Sequence, residues 1–366
     1  MWYRPTNEET IFTPAVLVYP QRIEENIRRM ITMAGTTERL RPHVKTHKMA
    51  EVIRLQVKHG IRKFKCATLT EVELVALNGG EDILMAYPLT GPATSHFLNL
   101  MERFPEVKLA VTVDSAIASQ KLSDEAKLRE MNLDVFVDLD NGMHRTGIAP
   151  DQAEELIRYI NTNQYLQLSG LHIYDGHIHD VNVAKREEHC NLDFESVIRL
   201  VEKLGGIGIE MKELACGGTP TFPFHARHES RTLCPGTPLL WDAGYADSLP
   251  DLDFLPAAVL AARVISKPKE NVCIDLGYKA VASEMPHPRV KFLDLGAPEV
   301  FNHSEEHFVG SSPEFSELAV GDMVYALPIH VCPTIALHEQ VYVVEDQKVQ
   351  GTWKVIARSR AYQQKE

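Results

Sequence analysis

The stretch LDVFVDLDNGMHRTG, residues 133–147, decides the fold of this chain. It joins an apolar run, typical of a buried strand, to a polar loop bracketed by Gly142 and Gly147. Similar apolar runs, separated by helical patterns, occur at 15–19, 64–69, 82–87, 108–113, 168–174 and 211–218. Strands that alternate with helices predict parallel βαβ units. About eight such units fit between residues 11 and 245, which predicts a TIM barrel.

The pattern changes near residue 250. Short β runs with little helix follow at 257–268, 271–277, 290–296, 323–329, 340–347 and 353–359. They predict a separate, mainly-β domain. The stretch DSLPDLDFLP (247–256), with two prolines, marks the boundary. We therefore expect a barrel over 11–250 and a β domain over 251–366, to which residues 1–10 could also belong.

Charge and composition exclude several classes of partner. The chain has 38 Lys and Arg against 50 Asp and Glu, a formal net charge of −12. This argues against nucleic acid or an anionic membrane surface as the main partner. No apolar run is long enough to span a membrane, and MWYRPTNEET at the start lacks an apolar signal region, so we expect a cytoplasmic protein. The six cysteines are scattered without a C-x-x-C pair, which predicts neither a zinc finger nor a disulfide framework.

The chemistry of a TIM barrel lies at the carboxyl ends of its strands. Lys45, in RPHVKTHK (41–48), follows a short extended segment and could form a Schiff base with a carbonyl compound. Alternatively, this segment is a solvated basic loop. Arg145 lies in the glycine-bracketed loop and could bind a cofactor nitrogen or an anion, although a helix-capping turn would look the same.

Three more segments follow predicted strands. YDGHIHD (174–180) offers His177 and His179 as general bases or metal ligands, although an H-x-H pair alone is weak evidence. GGTPT (217–221) and PGT (235–237) follow the last two barrel strands, where TIM barrels often bind phosphate. Each alone would be an ordinary turn.

A possible metal site lies in the β domain. His330 and Cys332, in PIHVCP (328–333), face the same way if the segment is extended. Imidazole and thiolate are good zinc ligands, and two protein ligands would leave coordination positions open. A buried cysteine beside an unrelated histidine is the alternative.

Taken together, these segments resemble one family. RPHVKTHK, CATLTEVE, the DxxNGMHRTG loop, YDGHIHD, GGTPT, PGT, DLGYKA, SEEH and PIHVCP occur in the order typical of the D-threonine aldolase and eukaryotic-type D-serine dehydratase family. That family depends on pyridoxal 5'-phosphate (PLP) and has the alanine-racemase-like fold (fold type III). The resemblance covers residues 11 to 360, nearly the whole chain.

The resemblance implies roles for individual residues. Lys45 matches the lysine that holds PLP, and Arg145 matches the arginine that faces the pyridine nitrogen. The residues that fall where the family binds the cofactor ring and phosphate are Tyr174, Gly218, Thr219, Gly236 and Thr237. His330 and Cys332 match the ligands of a divalent metal ion, zinc or manganese. An anionic cofactor would be served by a basic pocket built from Arg41, His43, Lys45, His47 and Arg145.

The implied activity is that of a lyase acting on D-3-hydroxy amino acids. Cys332 favours the β-elimination of a D-serine dehydratase, whereas YDGHIHD favours the retro-aldol cleavage of a D-threonine aldolase. Lys45 would remove the α-proton in the first reaction, and His177 or His179 would be the base in the second. The main alternative is an amino-acid racemase on the same fold, against which His330 and Cys332 argue. A non-catalytic PLP-binding protein would lack the β domain, and a PLP-free zinc hydrolase would not explain Lys45 with two phosphate loops. We expect a homodimer.

Overall fold

The computed structural model describes residues 1–360. The strands in this range are β1 (Ala15–Val18), β2 (Lys63–Cys66), β3 (Asp82–Met85), β4 (Lys108–Val113), β5 (Leu133–Leu139), β6 (Leu166–Ile173), β7 (Leu214–Cys216), β8 (Arg231–Leu233), β9 (Ala258–Ser266), β10 (Val272–Ile274), β11 (Val290–Phe292), β12 (Glu299–His303), β13 (Phe308–Ser311), β14 (Met323–Pro328), β15 (Gln340–Glu345) and β16 (Lys348–Lys354). The α-helices are α1 (Pro20–Ala34), α2 (Ala50–Lys58), α3 (Leu69–Leu77), α4 (Pro92–Arg103), α5 (Ala116–Leu128), α6 (Ala153–Thr162), α7 (Val183–Gly205), α8 (Phe222–Ala226), α9 (Ala243–Ser248), α10 (Pro313–Ser316) and α11 (Val331–Leu337). Short 3₁₀ helices span Glu8–Thr10, Val44–Thr46, Pro150–Gln152, Thr237–Leu239 and Ile356–Arg358.

Strands β2 to β8 form one parallel sheet in sequential order. The extended segment 40–43 joins the two edges of this sheet. On one side the Arg41 N–H donates to Leu233 O at 2.8 Å, and on the other the Lys65 N–H donates to Pro42 O at 3.0 Å. The segment 40–43 is therefore the eighth member of a closed barrel. The predicted barrel with a mainly-β domain is confirmed.

Alternating side chains of the barrel strands fill its interior. One interior cluster contains Leu84, Ala110, Phe136, Ala215 and Cys234. Because interior positions come from several strands at one level, they form a packed layer rather than a pore. The side chains that do chemistry are consequently confined to the ends of the barrel.

Helix α7 shows how the outer layer is built. Its buried residues recur every three or four positions: Arg186, Cys190, Phe194, Val197, Leu200 and Leu204. This spacing gives one apolar stripe that packs inward, while the other face stays polar. Within residues 1–360, no helix combines the length and the apolar character that crossing a membrane requires.

A second sheet is built around β9. This strand pairs antiparallel with β1, β10 and β14. Strand β15 lies parallel to β1 and pairs with β16, whereas β13 and β12 follow β10. Leu17, Val259 and Tyr325 belong to one buried cluster on this sheet.

Strand β1 lies in this second sheet and not in the barrel series in which the sequence pattern places it. Ala15 pairs with Ala261 of β9, and Leu17 pairs with Tyr342 of β15. A wholly apolar run such as AVLV has no alternation that indicates which elements cover it. Because helix α1 directly follows β1, this strand and helix have the same sequence pattern as a βα unit of the barrel.

The chain forms two compact units, and both are discontinuous in sequence. One contains residues 1–29, 46–52 and 237–358, and the other contains 30–45 and 53–236. The predicted domain limits, 11–250 and 251–366, stay a prediction, but they treat each domain as one continuous stretch. The difference arises chiefly from β1, which needs partners from the C-terminal third of the chain.

Candidate active site

Three cationic side chains meet one aromatic ring at the carboxyl ends of the barrel strands. Tyr174 follows β6, and its ring centroid lies 5.5 Å from Lys45 Nζ and 4.8 Å from Arg145 Cζ. The third cation is Lys65 on β2, with Nζ 5.1 Å from the same centroid. An aromatic face attracts cations within about 6 Å. The structure therefore brings together the predicted Lys45, Arg145 and Tyr174, and it adds Lys65, which sequence reasoning missed.

The backbone around Lys45 is anchored to the barrel wall. Val44–Thr46 forms a 3₁₀ turn directly after segment 40–43. The Lys45 N–H donates to His43 Nδ1 at 3.2 Å, and the His43 N–H donates to Pro235 O at 2.9 Å. Lys45 therefore leaves the wall at a fixed point, and its side chain is half-buried.

The loop that carries Arg145 is held by a carboxylate. Asp140 Oδ1 accepts hydrogen bonds from the N–H groups of Gly142 (3.1 Å) and His144 (2.8 Å). Gly147 has φ +104°, and a Cβ there would lie 2.6 Å from Asp140 N, so only glycine fits. Arg145 itself is exposed. The glycine bracket thus fixes the loop while leaving the guanidinium open to a ligand.

The glycine loops after β7 and β8 lie side by side. The Gly236 N–H donates to Thr219 Oγ1 at 3.4 Å, and both residues are buried. A Cβ on Gly218 would lie 3.1 Å from Tyr174 Cε2, so the backbone passes close to the ring. The predicted phosphate residues of this unit, namely Gly218, Thr219 and Gly236, are therefore adjacent to Tyr174 or to each other.

A buried row of hydrogen bonds supports the first of these loops. Arg231 Nη1 donates to His225 Nδ1 at 2.9 Å, and because arginine only donates, His225 Nε2 must carry a proton. This proton is donated to Asp175 Oδ2 at 2.7 Å, and Asp175 Oδ1 accepts from Thr221 Oγ1 at 2.8 Å. Although burial opposes ionisation, His225 and Thr221 hold the pKa of Asp175 below its ordinary value. A Cβ on Gly217, where φ is +75°, would lie 2.6 Å from His225 Cδ2. Only glycine at this position therefore lets the loop pack against the hydrogen-bonded row.

The predicted basic pocket is only partly present. Arg41 is fully buried and pairs with Asp82 Oδ1 and Glu213 Oε1, each at 2.9 Å. Asp82 begins β3 and Glu213 precedes β7, so the guanidinium lies at the amino end of the barrel, away from Tyr174. Burial, with the charge of Lys48, lowers the pKa of His47 to about 3, so this imidazole is neutral. The prediction is wrong for Arg41 and His47, because each looks basic in the sequence but carries no free positive charge in the fold.

The two histidines predicted as bases lie in different surroundings. His177 Nε2 is 2.7 Å from Asp193 Oδ2 on α7, and a Cβ on Gly142 would lie 2.7 Å from the same nitrogen. His189 completes a group with His177 and Asp193 whose ligand atoms lie within 4.8 Å of one another. His179 is exposed. Their role as bases stays a prediction.

His330 and Cys332, the predicted metal ligands, lie where β14 ends. His330 is the extended residue that caps α11, and Cys332 lies in the first turn of that helix. The expected extended segment is therefore interrupted, because Asp242 Oδ2 accepts from the Val331 N–H at 2.9 Å and the helix begins there. Glu284 Oε1 lies 2.7 Å from His330 Nδ1, so this ring nitrogen is held by a carboxylate.

The two predicted ligands also interact with each other. Burial disfavours the charged imidazole, but a hydrogen bond to Cys332 and the charge of its thiolate raise the pKa of His330 to about 9. Cys332 Sγ is 3.3 Å from Thr46 Oγ1 and 3.8 Å from Thr237 Oγ1. Thr46 follows Lys45 in the chain. Thr237, predicted to bind the cofactor phosphate, thus contacts a predicted metal ligand in its own unit.

Comparison with known proteins gives matches along most of the chain. The family model "Alanine racemase, N-terminal domain" matches residues 18–240, more than half of the chain. A second model, for a serine dehydratase domain, matches residues 257–344. The first match ends at residue 240 and the second begins at 257, so the boundary between them lies near residue 250, where the sequence pattern changes.

Two characterised relatives match over nearly their whole length. A D-threonine aldolase of Arthrobacter sp is 28% identical over 353 residues, which cover 94% of this chain and 92% of the relative. A D-serine dehydratase of Dictyostelium discoideum is 24% identical, with coverage of 93% and 96%. Two solved structures show the same fold. The D-threonine aldolase from Filomicrobium marinum has a TM-score of 0.88 at 24% identity, covering 97% of both chains, and the D-threo-3-hydroxyaspartate dehydratase from Delftia sp. HT23 has 0.81 at 23%, covering 96% and 99%. The chain belongs to the alanine racemase N-terminal domain family, and it is a pyridoxal-phosphate-dependent lyase.

Proposed function

We propose that the protein cleaves D-3-hydroxy amino acids, with PLP at Lys45 and a divalent metal ion at His330 and Cys332. Cleavage would be β-elimination to a 2-oxo acid and ammonia, or retro-aldol cleavage to glycine and an aldehyde. The observation that carries the proposal is the meeting of Lys45 and Arg145 on the ring of Tyr174, next to the glycine loops. The names of the relatives, which are aldolases and dehydratases of such amino acids, support the substrate class.

The residues present fit PLP. Lys65 Nζ and His172 Nε2 are buried polar atoms without a hydrogen-bond partner within residues 1–360. Buried polar groups are almost always paired, so unpaired ones in one cluster point to a polar ligand. Lys45 would hold the cofactor, and the loops with Gly218, Thr219 and Gly236 would receive its phosphate. When bound there, PLP supplies an electron sink for the bond broken at Cα.

The side chains of this protein would bind the cofactor and transfer the protons of the reaction. Lys45 Nζ would be the amine that removes the α-proton in β-elimination. Arg145, on its fixed loop, would bind an electronegative atom of the cofactor. The retro-aldol reaction also needs a base for the β-hydroxyl proton. His177 and His179 remain our proposals for this base, although Asp193 already binds His177.

The donor set at His330 and Cys332 fits a metal ion. An imidazole nitrogen and a thiolate suit zinc, and oxygen ligands at the open positions would admit manganese. Glu284 holds His330 Nδ1, the carboxylate–histidine arrangement that orients a metal-binding imidazole. A D-threo-3-hydroxyaspartate dehydratase was also solved as a cysteine variant in a metal-free form. At such a site, a metal ion would polarise the β-hydroxyl as a Lewis acid.

Product analysis tests the proposal. The protein is incubated with PLP, Zn²⁺ or Mn²⁺, and D-serine or D-threonine. Pyruvate or 2-oxobutanoate indicates β-elimination, whereas glycine with acetaldehyde from D-threonine indicates retro-aldol cleavage. Lys45→Ala should abolish both the product and the near-visible absorption of bound PLP. An L-amino acid as the sole product would support the racemase alternative and contradict the proposal.

The metal and the oligomeric state have separate tests. Cys332→Ser and chelation should each lower lyase activity while PLP absorption remains, and unchanged activity after both treatments would contradict the metal role. We also propose a homodimer, which light scattering of the purified protein would show as twice the chain mass of 41.2 kDa.

A further inference from the structure

Lys65 is the least expected charged group in the barrel. Its side chain is only 2% exposed, and its Nζ has no hydrogen-bond partner in the part of the chain that the structure describes. Burial, reinforced by the charge of Lys45, lowers its pKa. An unpaired buried amine destabilises a fold, so an apolar residue would serve the protein better if packing were the only requirement.

Two carboxylates, Asp138 and Asp175, favour the charged form of Lys65, but both are hydrogen-bonded to other side chains. Asp138 Oδ1 lies 2.6 Å from His172 Nδ1, and Asp138 Oδ2 accepts from Thr146 Oγ1 at 2.8 Å. Both oxygens of Asp175 are bound within the row described above. Within residues 1–360, both of these carboxylates are therefore engaged elsewhere, although the Lys65 amine is aimed at the ring of Tyr174 beside Lys45.

The order of the strands indicates which ligand atom Lys65 would meet. Around the barrel, the glycine loops follow β7 and β8, Lys45 follows segment 40–43, and Lys65 lies on β2. In PLP, the ring carbon that bears the aldehyde, the group a lysine binds, lies between the carbon with the phosphate arm and the carbon with the phenolic oxygen. If the phosphate were bound at the glycine loops and the aldehyde at Lys45, the phenolic oxygen would point toward β2.

We propose that Lys65 binds the phenolic oxygen of PLP and stabilises its ionised form. This inference rests on the proposed cofactor site and deepens it. An ammonium beside a phenolate satisfies both charges, and the pairing explains why a lysine persists at a buried position. Lys65 is then a cofactor-binding residue, distinct from Lys45 that holds the cofactor.

Two variants on one strand separate this role from packing. Lys65→Met keeps the shape and removes the charge, whereas Lys63→Met removes a lysine that pairs with Glu213 at 3.1 Å. Without PLP, Lys65→Met should melt at a higher temperature than the wild type, because it removes an unpaired buried charge. Its dissociation constant for PLP should nevertheless rise about tenfold to a hundredfold, the usual effect of losing a charge-assisted hydrogen bond. Lys63→Met should bind PLP like the wild type.

A modified cofactor tests whether Lys65 binds the phenolic oxygen rather than another atom of PLP. PLP methylated at its phenolic oxygen should bind the wild type more weakly than PLP does, whereas Lys65→Met should bind both compounds almost equally. The absorption change that reports ionisation of the bound phenol should also move to higher pH in the variant. Lys65→Gln repeats the measurement with a second neutral side chain.

The outcomes are distinguishable. Wild-type affinity for PLP in both Lys65 variants, or an equal loss from methylation in wild type and variant, would overturn the role of Lys65 alone. Failure of the wild type to bind PLP would overturn the cofactor site itself. Stronger binding of PLP than of the methylated compound in the wild type, lost in both variants, supports the proposal.

Discussion

Two aspartate–histidine pairs have the same oxygen–nitrogen distance but differ in burial. They therefore test how far burial determines the contribution of such a pair to stability. Asp175 and His225 are 2.7 Å apart with side chains 2% and 0% exposed. Asp193 and His177 are also 2.7 Å apart, but their side chains are 21% and 22% exposed. Replacing each aspartate by asparagine changes the same atoms in both pairs.

The buried substitution should cost far more. In Asp175→Asn the amide turns a donor toward either the His225 N–H or the Thr221 hydroxyl, both of which donate. It also leaves the buried Arg231 guanidinium without its counter-charge. Breaking a buried charged network in this way costs about 3–5 kcal/mol, whereas Asp193→Asn should cost less than about 1 kcal/mol. With an unfolding entropy near 0.8 kcal/mol per degree for a chain of this length, Asp175→Asn should lower the melting temperature by about 4 to 7 °C.

Thermal unfolding of both variants without cofactor, followed by circular dichroism, measures this difference. Since the Gly218 N–H donates to Thr221 Oγ1 at 3.3 Å, Asp175→Asn should also weaken PLP binding. Equal melting temperatures for Asp175→Asn and Asp193→Asn would refute the reasoning, because burial would then not set the cost.

Three further predictions concern the barrel. Arg41→Met should destabilise the protein by about 3–5 kcal/mol in urea unfolding but leave PLP affinity unchanged, and a loss of affinity would place Arg41 in the site after all. Gly217→Ala should lower both stability and PLP affinity because its Cβ meets His225, whereas Gly35→Ala, with φ +83° and no atom within 4 Å, should cost only about 1 kcal/mol. Against the effect of burial, Arg41 holds the pKa of Asp82 below its ordinary value. The stabilisation by Asp82 is therefore complete above about pH 4, the ordinary pKa of an aspartate, and is lost progressively at lower pH. The stabilities of wild type and Asp82→Asn should therefore converge as the pH falls below about 4, and a constant difference would refute the assignment.

The barrel was predictable because each strand is a short apolar run followed by a polar turn. Its candidate site was predictable to a similar extent, since Tyr174 directly follows such a run, Lys45 and Arg145 lie in loops that follow two others, and parallel strands bring their ends together. Lys65 was not predictable in this way. It lies inside the strand KFKC, where Lys63 two positions earlier looks equivalent but makes an ion pair with Glu213. A lysine at an interior position of a short apolar strand was the available signal.

Other features depended on tertiary partners. The sequence cannot show that Arg41 meets carboxylates from two distant strands, so its charge looked available. The helix start at Val331 depends on Asp242, nearly a hundred positions earlier, and for this reason the His330–Cys332 segment looked extended. Strand β1 was misplaced for the same reason, since an apolar run does not specify its neighbours.

The pairing of β1 has a consequence for synthesis of the protein. Ala15–Val18 leaves the ribosome early, but its partner strands, Ala258–Ser266 and Gln340–Glu345, are made last. At about 5–20 residues per second, the first strand waits on the order of 10 to 70 seconds without a partner, while all strands of the barrel are already available. An unpaired apolar strand is an aggregation hazard during this interval. A fragment made to isolate the barrel should therefore begin at Pro20 rather than at residue 11, so that it does not carry an orphan strand.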